Sequence, residues 1–289
     1  MRKSNKPFPN LSNAIIIFFL FLAVQLALGL VFTLVFLCLG SLQEDLMLNL
    51  TLVNILTFYA VYRYCIHKAE YNINEILVFK IPNIRSVVAF VIGLLGLQLV
   101  FSELSNVIMY YLNLPQDVLE FLESLMPMGS GLSTFFLLVV VASLTEEIIF
   151  RGFILKGFLR NYGMKKAVLY SSILFALLHL SPLQIPGTFI LGIVFALVAI
   201  DSKSLLTPIL AHAYNNGIAF LYMTLGAGKI SGIGNKLSDP VEFHPLWLDI
   251  TGVICLIIGI ILCRQIYMDN KDKYYQIYCN LQEIDKSEQ

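Results

Sequence analysis

From Asn13 to Leu39 the chain carries no charged side chain. At about 1.5 Å rise per residue, a helix of that length exceeds a hydrocarbon core of about 30 Å. Comparable apolar runs recur at roughly 47–65, 87–112, 131–158, 167–181, 187–201, 204–225 and 246–266. The expectation is an all-α, polytopic transmembrane helical bundle of about eight spans, forming one integral membrane domain over residues 1–289. The fifth and sixth runs are short for full crossings, and neighbours would have to shelter them. Composition agrees: the 289 residues are 58% hydrophobic and 13% charged, against about 45–50% and about 25% in soluble domains. A formal net charge of zero gives no reason to expect nucleic acid as a partner. Membrane lipid is the expected one.

The chain starts basic and then turns apolar, as a signal peptide does, but the first run is too long for an h-region of about 7–15 residues. It reads as a retained span. The five cysteines are scattered, with neither a CxxC pair nor a disulfide framework, and read as small buried hydrophobes. With the N-terminus inside, an eight-span arrangement puts all but Lys229 and Lys236 of the 19 lysines and arginines on one side. By the positive-inside rule both termini are then cytoplasmic. Residues 115–128 alternate Val118, Leu119, Leu122, Leu125 and Met126 with Asp117, Glu120 and Glu123, the pattern of an amphipathic helix on the outer interface. Residues 226–240, rich in Gly, Ser and Asn, read as a flexible outer loop.

Ionisable groups within spans are costly, and they usually face the bundle interior and serve function. The fourth run holds Glu146, Glu147 and Arg151, the fifth Phe175 and His179, the seventh His212 and Asn216. Glu147 and Arg151 are i,i+4 neighbours and should pair. Glu146 points about 100° away, without that cation. A carboxylate in such a desolvated place holds a proton more readily than one in water, as a general base or acid near neutral pH must. His212 and Asn216 share a face at i,i+4, and Phe175 underlies His179.

Depth brings these groups to one level. At 1.5 Å per residue, His179 lies about 20 Å in from Lys166, His212 about 14 Å in from Lys203, and Glu146 roughly 18 Å in from Phe158. Taken singly, each has a plain structural account: Glu147–Arg151 as an ion pair at a helix end, either histidine as a hydrogen-bonded packing residue. Their coincidence at one depth favours a site. His67 and His244 fall at span ends and read as interfacial. Gln98 and Glu103 lie toward the outer end of the third run, at positions expected to be solvated.

In this order and spacing EExxxR (Glu146, Glu147, Arg151), FxxxH (Phe175, His179) and HxxxN (His212, Asn216) resemble the CPBP family, the CAAX prenyl endopeptidases and bacteriocin-processing enzymes also called Abi. The resemblance covers about 130–220, and the catalytic helical core is placed at 131–225. It implies an intramembrane endopeptidase that cuts a peptide bond of a membrane-associated peptide or protein substrate, prenylated or leader-bearing. By the same resemblance Glu146 with His179 holds and deprotonates a water. His212 and Asn216 donate to the oxyanion, protonated Glu146 serves the leaving amine, and Glu147, Arg151 and Phe175 support them. No HExxH is present. Glu146, His179 and His212 would be the ligands if zinc or another divalent metal took part, so the sequence leaves metal-free and metal-assisted hydrolysis open.

Two other classes compete with this reading. A transporter or proton relay also places Glu and His in spans, but no inverted repeat or pair of broken helices is visible. A catalytically silent immunity protein would keep the fold, although here the polar set is complete. No residue discriminates among substrates.

Overall fold

Each apolar run becomes a helix. The computed structural model describes residues 7–40, 46–69, 77–124, 131–181, 183–226, 229–234, 237 and 239–287, and among these it holds helices, turns and connecting segments without a strand. The long helices are α1 (Leu11–Cys38), α2 (Leu46–Lys68), α3 (Ile84–Leu112), α5 (Leu132–Tyr162), α6 (Met164–Leu177), α7 (Ile185–Ser202), α8 (Leu206–Leu221) and α9 (Leu246–Ser287), with α4 (Gln116–Ser124) between α3 and α5. Six of them are long and apolar enough to cross a membrane: α1, α2, α3, α5, α7 and the Leu246–Ile266 part of α9. This is an integral, multi-pass membrane protein. Exposed side chains such as Phe19, Leu26 and Leu30 on α1 suit lipid rather than water.

Lengths differ from the sequence expectation in the later runs. The sixth run reaches 18 residues as α7, whereas the seventh supplies only 16 as α8. The rest of that run, past Leu221, stays helical in a wider form. Lys203 takes a left-handed conformation with φ 49° that closes α7, and after Leu221 the turns widen into a π-helix over Tyr222–Gly226. The fifth run, α6, is shorter still at 14 residues, below the roughly 20 of a full crossing.

Side chains set several helix ends. Asn10 and Asn13 cap α1 reciprocally, each Oδ1 accepting the other's backbone N–H, at 3.1 and 3.3 Å. That satisfies amide groups which the first turn leaves without partners. Asn83 Oδ1 accepts from Arg85 N at 2.9 Å to start α3, and left-handed Asn113 (φ 42°) ends it.

Two compact units are discernible. The first comprises 1–82, 144–209 and 267–289, the second 83–143 and 210–266. In the first, α1 packs on α2 and α6 on α7. The segment before α1 is tied to the end of α5: Asn161 Nδ2 donates to Pro7 O at 2.8 Å, and Tyr162 Oη accepts from Leu11 N at 2.8 Å. Gly157 has no space for a Cβ against Pro9. Ser204 bridges back to residue 80, accepting from Lys80 N and donating to Lys80 O.

In the second unit α3 and α9 approach through glycines: Gly93 faces Gly259, and a Cβ on Gly96 would meet the backbone of Leu256. Small residues let helix backbones touch where no hydrophobic force drives them together. Around this contact Leu99, Ile233 and Leu248 form a small core joined by Tyr222 and Ile230. The stretch expected as a flexible loop is therefore anchored where it is described, with Ile233 only 3% exposed. Two isoleucines embedded among Gly, Ser and Asn give it something to bury. Of the amphipathic helix expected over 115–128, nine residues form α4; Leu125 and Met126 lie outside the described residues.

Candidate active site

The middle of α5 is an α-helical turn, Ser143–Glu147, set between two π-helical stretches, Phe136–Ala142 and Ile148–Ile154. Such widened turns are rare and occur often at functional sites. The two glutamates on this turn have different surroundings.

Glu147 and Arg151 are sealed, at 0% and 2% exposure. Arg151 Nη1 donates to Glu147 Oε1 at 3.0 Å, the i,i+4 pair that the spacing implied. Nη2 donates to Gly192 O on α7 at 3.2 Å. The guanidinium carbon stands 4.4 Å from the Phe175 ring centroid and 5.5 Å from that of Phe195, close enough for cation–π attraction. Glycine at 192 is a packing requirement. A Cβ there would stand 3.0 Å from Ser172 Cβ and 3.3 Å from the Phe175 ring.

Glu146 is half-buried. Its Oε2 is shut off from solvent and has no hydrogen-bond partner among the described residues. Burying a polar atom without a partner costs free energy, so structures retain one mainly where a ligand, water or reacting group completes it.

His179 follows α6 rather than lying within it. The helix ends at Leu177, His179 N bonds back to Ala176 O at 3.2 Å, and Leu180 takes φ 54°. The sequence places a proline at 182, which favours a helix stop just before it. The ring packs edge-on against Phe175, with centroids 5.2 Å apart, and Nδ1 lies 3.1 Å from Phe175 O. A carbonyl oxygen can only accept, so Nδ1 carries the proton and donates. In the neutral ring Nε2 is then the atom able to take a proton.

In the second unit α8 carries His212, 4% exposed, and Asn215, 5% exposed. Asn216 Nδ2 donates to Leu138 O at 2.8 Å. Leu138 belongs to the first π stretch, where the wider turn leaves carbonyls available, and its oxygen also accepts from Ser143 Oγ at 3.4 Å. Asn215 Nδ2 approaches Asn216 Oδ1 at 3.4 Å, and Gln98 Nε2 donates to Asn215 Oδ1 at 2.8 Å. Gln98 was expected to be solvated. Instead it begins a chain of amides that fixes Asn216. Gln98 stands alone in an apolar run, and Asn215 adjoins a motif residue, so both carried a signal that spacing rules did not use.

Glu103 and His244 also depart from expectation. Neither is merely interfacial: His244 is 7% exposed, and Glu103 Oε2 accepts from His244 N at 2.9 Å. Residue 244 folds back onto α3 through the anchored segment before α9. Among the described residues the structure gathers one trio of side chains able to hold a metal, Glu103, His244 and Asp249.

Residues 128–218 match the family described as type II CAAX prenyl endopeptidase Rce1-like. No curated protein and no solved structure matches the chain. The matched stretch contains Glu146, Glu147, Arg151, Phe175, His179, His212 and Asn216, and the family implies CAAX-type intramembrane endopeptidase activity on a peptide or protein in a membrane. Over residues 128–218 the chain is thus similar to the type II CAAX prenyl endopeptidases, the family that its three motifs resemble.

Proposed function

We propose that this protein hydrolyses a peptide bond of a membrane-associated substrate with a water activated by Glu146. The observation that carries the reading is the contrast on one helical turn: Glu147 is fully buried and bonded through Oε1 to Arg151, while Glu146 is only half-buried and its Oε2 accepts no hydrogen bond among the described residues. Hydrolysis needs an activated water, an oxyanion site and a proton for the amine. Glu146 and His179 take the first task, with His179 Nε2 turned to the reaction because Nδ1 is spent on Phe175 O. His212 and Asn216 take the second, Asn216 held by its bond to Leu138 O. Protonated Glu146 takes the third. Glu147, Arg151 and Phe175 position the others. That these four act together rests on the order of their motifs and on their shared place in the matched stretch.

Proton and water bookkeeping closes without a metal, and we favour that route. Glu146, His179 and His212 would be the ligands of a metal-assisted one. We further propose eight spans with both termini cytoplasmic, α6 and α8 being sheltered short crossings, and a water-filled chamber open to the cytoplasm. The substrate is a CAAX-type peptide carrying a prenyl group.

Hydrolysis of prenylated and leader-bearing peptides by purified wild type and Glu146→Gln tests the reading. Glu146→Gln should lose turnover while folding and binding as wild type does, and near-normal hydrolysis by this variant would sink it. Activity that survives metal stripping, checked by metal analysis, would support the metal-free route. Loss restored by stoichiometric zinc in a chain that also carries Asp249→Asn would reassign Glu146 as a ligand.

A further inference from the structure

The second unit assembles a polar cluster that the proposed hydrolysis does not use. His244 Nδ1 stands 3.1 Å from Asp249 Oδ1 and 3.7 Å from Glu103 Oε2. One ligand atom from each of the three residues lies within 4.8 Å of the others. On the far side of the ring His244 Nε2 contacts Ser102 Oγ at 3.1 Å. Glu103 Oε2 is further held by Asn106 Nδ2 at 3.0 Å. The imidazole is fully buried, whereas the two carboxylates keep 21% and 32% of their surface.

We propose that Glu103, His244 and Asp249 form a binding site for one zinc ion. The donor chemistry fits: one imidazole nitrogen and two carboxylate oxygens suit zinc, with ligand bonds of about 2.0–2.2 Å. Tetrahedral bonds of that length put ligand atoms about 3.3–3.6 Å apart, within the range seen here. Without metal, Nδ1–H donates to Asp249 Oδ1 and the Ser102 hydroxyl donates to Nε2; zinc would displace the Nδ1 proton and take the lone pair that then faces the two carboxylates. The supporting bonds are of the kind that orient ligands: Ser102 fixes the ring, and Asn106 with the His244 amide fixes Glu103. A cavity of about 320 Å³ is lined by Ser102 and Asn106, the residues that bond His244 and Glu103, together with Gly232 and Glu242.

The ligands come from α3, the segment ahead of α9, and the first turn of α9. Asn106 Nδ2 also donates to Gly232 O at 3.0 Å, and Ser231 Oγ to Phe243 O at 2.8 Å. Zinc would therefore clamp the 239–244 segment onto two helices. Its role is structural, and the site is separate from the residues assigned to hydrolysis.

The test uses the full chain in detergent, treated with chelator, dialysed and titrated with zinc chloride in a calorimeter. Wild type and Glu146→Gln should each bind one zinc per chain, with a thermal midpoint several degrees higher when zinc is saturating. Asp249→Asn, which keeps an oxygen facing His244, should weaken binding by about 100-fold or more and lose the midpoint shift, with an unchanged helical spectrum without metal. Glu103→Gln provides a second reading should Asp249→Asn fold poorly. Failure of wild type to bind zinc stoichiometrically overturns the proposal. So does full binding by Asp249→Asn and Glu103→Gln, which would put the metal elsewhere.

Discussion

The Glu147–Arg151 pair and the Glu103–His244–Asp249 cluster are both ionisable groups inside an apolar protein, yet they solve the problem of burial differently. The first is sealed. One helix supplies both charges, and a carbonyl with aromatic rings from α6 and α7 occupies the remaining sides of the guanidinium. The second is built from three separate segments and leaves its carboxylates partly wet. Sealing demands internal neutrality, so a sealed pair makes a rigid reference for the groups beside it and a poor reactant. An open cluster can exchange its water, proton or cation with the surroundings. Glu146 combines the two settings, sitting on the sealed helix with an oxygen still to be satisfied.

The largest consequence should come from unsealing the first region. Arg151→Ala leaves Glu147 as a buried charge without its main partner, a change that typically costs about 3–5 kcal/mol. Unfolding in detergent should show a loss on that scale, and an unchanged midpoint would mean that the pair is solvated and the contrast unfounded. The double change Glu147→Leu with Arg151→Met should recover most of the stability, since apolar residues of similar volume often replace a buried pair. Activity should stay low, because the reference for Glu146 is gone.

Next in size is the amide chain of the second unit. Asn216→Ala removes a proposed oxyanion donor, and kcat should fall by about 10²–10³ with little change in KM. Gln98→Leu should act through Asn215 and Asn216, lowering kcat in the same sense by less, and equal rates would detach that chain from the chemistry. A cage substitution comes third. Gly192→Ala should cost about 1–3 kcal/mol by overpacking, read as a lower thermal midpoint.

The smallest effect should come from the open cluster without metal. Asp249→Asn should shift stability by no more than about 1 kcal/mol, because water reaches that carboxylate. A loss as large as that of Arg151→Ala would show that the two regions are sealed alike.

What was legible in sequence followed from the range of the interactions. Glu147–Arg151 and Phe175–His179 lie four residues apart, so helical periodicity alone brings them together. The apolar runs announced their helices for the same reason. His244 was misread because its partners sit 141 positions away at Glu103 and 142 at Ser102, and no local spacing encodes that closure. Gln98 was misread for a related reason: its partner Asn215 is 117 residues distant. The end of α6 before His179 was also missed, since it depends on turn chemistry that a run of apolar residues conceals.

The π-helical stretches on either side of Ser143–Glu147 bear on how this helix tolerates changes of length. A turn closed by i→i+5 bonds accommodates about one residue more than an α-helical turn spanning the same arc. Helix α5 therefore carries surplus residues before and after its glutamates. Deleting one residue between 136 and 142 could be absorbed by relaxation to ordinary α-helix, with the carboxylates still on their face, although the Leu138 carbonyl would return to the backbone ladder and release Asn216. Inserting one there has no such reserve and would swing both carboxylates by about 100°. Homologous helices should accordingly differ here by losing residues far more readily than by gaining them.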